Sequence, residues 1–454
     1  MSNLQFSPIM EISKKNKKSE FAYFIREIFI NISLYLGIFL FLYADFVKSG
    51  VGLEERGVAL RNVPTGISIM AISVICGAAF YFDKDFRRLL FGKLGIIYLA
   101  VLFIYTLIGW QLFGNDIYFV KNDLLIFLYL IYGLGLFRLI VKSHYAKLNL
   151  MILTISVCLL LYNYIWQAAL RLGVNEAGLS IRAIDWEAVN FLPLAMILIG
   201  IGIGVFHRAG LIWAIIIWGL VLLMVYSLVF LGATRSAALV LLNVVITSAL
   251  TLFYRVSSGI ITPPSSSLLL RHLTSIFLLI AAFIIIVVFS DFIFDIVAFF
   301  QNTLIYERFF TDDASNSNEE RISEAIVGIE SLQDIEWLFG RGIGANYWSP
   351  VGVGYQAFSF HIGIFTFLLK GGLPLFLLCV YFLYIKFPQL YIKALLRPYA
   401  FDDRNRTALL IVLPSIFAWA VILLIYGGFI VSSFIGLGIS LGAYLHIKKY
   451  GLNF

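Results

Sequence analysis

One histidine, His361, and several arginines upstream of it carry the chemistry this 454-residue chain could perform. An imidazole titrates near neutral pH, so His361 could take a proton from an attacking hydroxyl; its plain alternative is an interfacial side chain. No carboxylate pair accompanies it at ligand spacing, which argues against zinc. Arg235 lies in Gly232-Ala-Thr-Arg-Ser236, where a helix is expected to open with Thr234 as N-cap. Free N–H groups and the helix dipole favour an anion there, and the nearest acids in sequence, Glu187 and Asp291, are far away. Arg321 opens another expected helix, where Glu319, Glu320 and Glu324 offer it salt bridges. Arg171, Arg182, Arg308 and Arg341 are further candidates. Guanidinium forks match phosphate oxygens in pairs, so this set suits a phosphate or diphosphate.

Lys370 is a cation inside an apolar stretch, Leu369-Lys-Gly-Gly-Leu373, and intramembrane charges default to a functional reading. On one continuous helix it is half a turn out of phase with His361. Asp291 or Asp295 could be its counter-ion. Two patterns are set aside. Gly340-Arg-Gly-Ile-Gly344 has no strand–helix unit around it and reads as a flexible turn. Asp83-Lys-Asp85 sits beside Arg87 and Arg88 and reads as a charged connector.

The elements that must position these groups are membrane helices. Hydrophobic residues make up 61% and charged residues 13% of the chain, against about 45–50% and about 25% in soluble proteins. That excludes a soluble enzyme and a nucleic-acid binder inferred from basicity. Cys76, Cys158 and Cys379 all lie in apolar runs and make neither a disulfide framework nor a zinc site. The Lys-rich leader shows no signal-peptide cleavage pattern. A span needs about 20 apolar residues, and twelve stretches qualify, near 28–47, 65–82, 94–112, 123–141, 149–167, 190–206, 211–231, 236–254, 273–296, 363–385, 407–426 and 428–446. With both termini inside, the inner segments hold 22 of the 33 Lys and Arg but 7 of the 26 Asp and Glu. This fits the positive-inside rule for a cytoplasmic membrane.

The fold class is therefore all-α: a polytopic membrane helix bundle of about 12 transmembrane helices with one large periplasmic loop. Residues 1–297 give about nine spans, 298–360 the loop and 361–454 about three spans. So long a loop is usually functional. Ser317 and Glu320 read as a capping box, and Ile322, Ala325, Ile326, Ile329 and Leu332 recur at helical spacing. A short amphipathic helix lying at the outer membrane face is expected.

Arg235, the long loop, Arg321 and His361 together resemble the superfamily of O-antigen ligases and O-antigen polymerases, mainly over residues 230–380. The matching features are Thr234-Arg-Ser-Ala-Ala238, Arg321 followed by Phe339-Gly-Arg-Gly-Ile-Gly344, and His361 with Gly372 eleven residues on. Ile362 stands where ligases tend to carry a polar residue, Leu375 where a small one is usual, and Lys370 where acidic or neutral residues are common. These departures favour the more variable polymerases over a ligase.

The resemblance implies a metal-independent glycosyltransferase of the bacterial inner membrane that needs no cofactor. Donor and acceptor would both be oligosaccharides on undecaprenyl diphosphate, with a chain-length regulator protein as a possible partner. Arg235 and Arg321 would neutralise the diphosphate leaving group, and His361 would deprotonate the acceptor hydroxyl. Arg182, Arg308, Arg341 and Lys370 would help bind substrate. Tyr306, Tyr347, Trp348 and Tyr355 could stack on sugar faces or serve as interfacial belt aromatics. Transfer to lipid A core, or a twelve-span flippase or transporter, are the alternatives. A glycosyltransferase using polyprenyl phosphate sugars, with Glu54 and Glu55 as carboxylates, is a further one.

Overall fold

The computed structural model describes residues 9–49, 63–146, 148–157, 215, 219, 313–350, 355–357, 359–396 and 431–450. Most of the expected stretches between 190 and 296, the one at 407–426, and Arg171, Arg182, Arg235, Arg308 and Tyr306 lie outside them. The described residues are mostly helical. Among the described residues, five helical segments are long and apolar enough to cross a membrane: Glu20–Ala44, Thr65–Phe82, Lys93–Leu112, Ile117–Lys142 and Ile364–Lys393. Each begins within one residue of an expected stretch, save Glu20–Ala44 and Ile117–Lys142, which begin eight and six residues earlier.

In chain order the elements are α1 (Ile9–Ser49), α2 (Val63–Phe82), α3 (Lys84–Leu90), α4 (Lys93–Leu107), α5 (Ile117–Lys142), α6 (Asp313–Glu330), α7 (Glu336–Phe339), β1 (Tyr347–Ser349), β2 (Tyr355–Ala357), α8 (Ile364–Val380), α9 (Phe387–Leu396) and α10 (Val431–Tyr450). π-helical turns at Ile108–Leu112 and Tyr381–Lys386 extend α4 and α8. The two-stranded hairpin pairs Trp348 with Gln356 in antiparallel register and departs from the all-α expectation.

α5 is the axis of the described bundle. Asp116 caps it by accepting from the Tyr118 N–H at 2.8 Å. Its 26 residues run about 39 Å, more than a hydrocarbon core of about 30 Å. Most of its residues from Val120 to Ile140 are buried. α10 crosses it backbone to backbone. A Cβ on Gly133 would meet the Ile435 carbonyl, and one on Gly438 the Leu130 carbonyl. Without a hydrophobic drive between helices in lipid, such close approach supplies the packing.

The C-terminal end of α5 carries a charge network. Buried Arg138 bonds Asp83 through Nε and reaches Asp85 at 3.1 Å. Lys449 Nζ lies 2.6 Å from Asp85 Oδ1, and the Tyr450 hydroxyl donates to Oδ2. Burial pushes the Asp85 carboxyl up, but Lys449, Tyr450 and Arg138 outweigh it and hold the group down at about 2. Asp83 also caps α3, accepting from the Asp85 N–H at 3.0 Å. The Asp-Lys-Asp sequence is thus more than a charged connector: it ties α3, α5 and α10 together.

The other end of α5 receives the long loop, and α8 is built to hold it. α8 breaks at Gly372, which has φ +64° and ψ −168°, just before Pro374. Proline has no N–H, so the Lys370 carbonyl four residues back loses its helical donor. The 340–344 turn supplies donors instead. The Arg341 N–H donates to Leu369 O at 2.8 Å and the Gly342 N–H to Lys370 O at 3.0 Å. The next amide, Ile343 N–H, donates to Tyr105 O at 3.0 Å, beside the π turn of α4. Gly344 N–H donates to Asp123 Oδ2 at 2.7 Å. Asn115 Nδ2 secures the turn's Arg341 and Ile343 carbonyls at 2.8 and 3.0 Å. Gly340, Gly342 and Gly344 all have positive φ. This corrects the flexible-turn reading: four successive N–H groups are fixed on helix acceptors.

The loop helix α6 exists, but it begins at Asp313 and encloses Ser317 within its first turns, so the capping-box expectation is corrected. An acid at the helix start suits its dipole, and the Ser-Asn pair is not enough to stop the helix. Its packed face matches the expectation at Ala325, Ile329 and Leu332 and departs from it at Ile322 and Ile326. Glu324, Ala325, Gly328 and Leu332 are buried, whereas Ile322 and Ile326 are exposed. Gly328 admits the Phe360 ring against the helix backbone. α6, the hairpin and the first half of α8 share a second small core of Ala325, Leu332, Tyr347, Phe360, Leu368 and Leu369.

Candidate functional site

The small core brings His361 onto α6. The His361 backbone N–H donates to Glu324 Oε2 at 3.1 Å, and its ring Nδ1 lies 2.6 Å from the same oxygen. The Ser349 hydroxyl, from β1, donates to Glu324 Oε1 at 2.8 Å. Three segments far apart in sequence therefore meet on one carboxylate. Thr366 fixes the approach, its hydroxyl accepting from the Phe360 N–H at 3.0 Å. Tyr347 and Phe360 stack beneath, with ring centroids 4.4 Å apart.

Glu324 is fully buried and His361 is 16% exposed. Burial alone would raise the Glu324 carboxyl, but the His361 ring, the His361 N–H and the Ser349 hydroxyl outweigh it. The group ends below its ordinary value and is ionised at neutral pH. A carboxylate at Nδ1 requires the proton on that nitrogen, so the neutral ring carries its lone pair on Nε2. A base oriented by a third group is the usual arrangement for activating a hydroxyl.

Arg321 lies one helical turn before Glu324 on α6 and is half-buried. Residues three apart on a helix are neighbours, with Cβ atoms about 5–6 Å apart. Arg321 thus sits one turn from the residue that holds His361. Arg182, Arg235 and Arg308 fall outside the described residues.

The other candidates are placed differently. Arg341 Nε meets Glu336 Oε2 at 2.9 Å, and its remaining nitrogens bond the Ser331 and Asn346 carbonyls. Its guanidinium folds the loop around itself. Tyr347 is buried at 4% exposure, inside the small core, and not on a sugar-facing surface. Trp348 is 65% exposed on the opposite face of β1. Tyr355 faces Ser349 across the hairpin register.

The Lys370 ammonium meets Asp123 of α5 at 2.5 Å and the Ala345 carbonyl at 3.2 Å; its expected partners Asp291 and Asp295 lie outside the described residues. Both side chains of the pair are 1% exposed, so the ammonium is enclosed where a substrate contact was expected. The helical-phase argument does not reach His361, which precedes α8. The two residues nonetheless bond separate partners, Glu324 and Asp123.

Sequence reasoning took Glu324 only as a salt-bridge partner for Arg321. A signal was present: it stands at i, i+1, i+4 and i+8 with Ala325, Gly328 and Leu332, so its carboxylate falls on the packed face. No family model, curated protein or solved structure matches the chain.

Proposed function

We propose that this chain is a surface-polysaccharide polymerase, a glycosyltransferase that joins oligosaccharide repeat units carried on undecaprenyl diphosphate at the periplasmic face of a bacterial inner membrane. The observation that carries the reading is the buried Glu324 carboxylate on His361, with Arg321 one turn away on the same helix. Glu324 holds the imidazole with Nε2 as base. Nε2 takes the proton of an acceptor sugar hydroxyl as its oxygen bonds the donor's anomeric carbon. The bond from that carbon to the diphosphate breaks, and the electron pair leaves on the diphosphate. Arg321, joined by Arg235, stabilises that developing charge. Trp348 offers an exposed ring for a sugar face.

The charge distribution supports the same orientation. The Asp85–Lys449 network lies at the Lys- and Arg-rich end of α5, and the loop at the other end.

Fork geometry makes the arginines the sharpest test. In cells making the native repeat unit, Arg235→Lys should shorten the polymer ladder severely at normal protein levels, because an ammonium cannot grip two oxygens in plane. Full-length ladders with lysine would reduce Arg235 to an interfacial charge. Loss of the chain should leave single repeat units on the lipid; accumulation of finished polymer on the lipid would point to a ligase instead.

A further inference from the structure

The buried pair Asp123–Lys370 is unused by the proposed chemistry and is poorly made as a source of stability. Both side chains are 1% exposed. Oδ2 takes the Lys370 ammonium and the Gly344 N–H, while Oδ1 has no hydrogen-bond partner among the described residues. Two charges withdrawn from water recover their solvation only when every lone pair is satisfied, and an apolar pair of similar size often holds a fold as well or better.

Its position indicates another role. Asp123 lies six residues into α5 and Lys370 six residues into α8. Between them the loop's 340–344 turn touches α8 at Leu369 and Lys370, α4 at Tyr105, and α5 at Asp123. The backbone contacts to Leu369, Lys370 and Tyr105 are made to carbonyls, and carbonyls recur along every helix. They do not by themselves fix which loop residue meets which turn. The Asp123 carboxylate occurs once. Lys370 pins it from one side, Gly344 meets it from the other, and Ala345 O returns to the lysine at 3.2 Å. A slip of one residue would take the donor off Oδ2 and leave the carboxylate with the ammonium alone.

We propose that Asp123 and Lys370 form a register latch. The ion pair sets which residue of the glycine turn seats on the bundle, and so positions the loop that carries Glu324 against His361. Both are positioning residues; neither touches the reacting atoms in this scheme. The latch does not depend on which reaction the site performs.

Backbone amide exchange of the 340–347 segment in lipid nanodiscs reads the latch directly, with thermal unfolding as the separate measure of overall stability. Lys370→Met leaves a buried charge unpaired and should raise exchange of the Arg341 to Gly344 amides at least tenfold. Adding Asp123→Asn removes that charge but keeps an acceptor for Gly344, so exchange should return to within threefold of the native chain. Pairing Lys370→Met with Asp123→Leu removes both charge and acceptor. That protein should melt no lower than the native one, yet exchange at least tenfold faster at Gly344. Should Lys370→Met alone fail to fold, the two double variants still decide the matter. Equal protection in the Asn and Leu doubles would overturn the latch, as would native-like exchange in Lys370→Met. Transfer activity should follow exchange across the same proteins. A native chain with no transfer activity would sink the polymerase reading and leave the latch judged by exchange alone.

Discussion

At neutral pH an ionised, buried carboxylate such as Glu324 can sit against an imidazole only if Nδ1 carries its proton, and that requirement sets the role of His361. Glu324→Gln keeps the shape and an acceptor oxygen but removes the charge that stabilises an imidazolium. Transfer should fall roughly 10²-fold, within the range of lost acid–base catalysis, and the acidic limb of its pH–rate profile should move to lower pH. An unmoved limb would separate Glu324 from the proton transfer. Stability carries the same sign. Because the folded carboxyl titrates below its ordinary value of 4.5, its contribution is fully present above that value. It is lost as pH falls through the lower folded value. Acid titration followed by Trp337 and Trp348 fluorescence should show the loop loosening in that window. At this scale His361 and Arg321 were legible from residue type and place. Glu324 was not, because three neighbouring acids offer the same local salt bridge and only packing selects the one that turns inward.

The elements were legible wherever a pattern is local. Apolar runs marked the spans, and Lys370-Gly-Gly-Leu-Pro374 held a readable break, since proline must free a carbonyl four residues back. What takes up that carbonyl depends on a glycine turn 30 residues upstream, and no periodicity reports it. The amphipathic reading of α6 put Ala325, Ile329 and Leu332 on the packed face, where they are, and also Ile322 and Ile326, which are exposed. The Phe360 and Tyr347 rings seat against Gly328, a position that counting apolar residues passes over. The turn itself gives a direct test. A Cβ on Gly342 would strike the Gly109 backbone, and φ there is +76°. Gly342→Ala should therefore cost on the order of 1–3 kcal/mol or more. It should expose the loop to protease in detergent while the helices stay folded by circular dichroism.

Across the whole molecule two polar assemblies mark the ends of one helix. Asp123 and Arg138 are 15 residues apart on α5, about 22 Å by its rise, with apolar packing between them. The Arg138 network holds the Lys-rich end closed. Arg138→Met should leave buried Asp83 with only the more distant Lys142 ammonium, at 3.9 Å, and cost about 3–5 kcal/mol, seen as a lowered unfolding midpoint in detergent. That end was legible as charge, though the partners Asp83, Arg138 and Lys449 lie on three helices whose adjacency a linear sequence does not reveal. At the other end, the claim on which the account turns is that His361 is the base of a lipid-linked glycosyl transfer. Reconstituting the purified chain with one undecaprenyl-diphosphate oligosaccharide and following conversion to the joined two-unit product tests it most directly. The native protein should form that product and His361→Ala, folded and equally abundant, should form less than about one hundredth as much. Equal product from the two proteins would contradict the account.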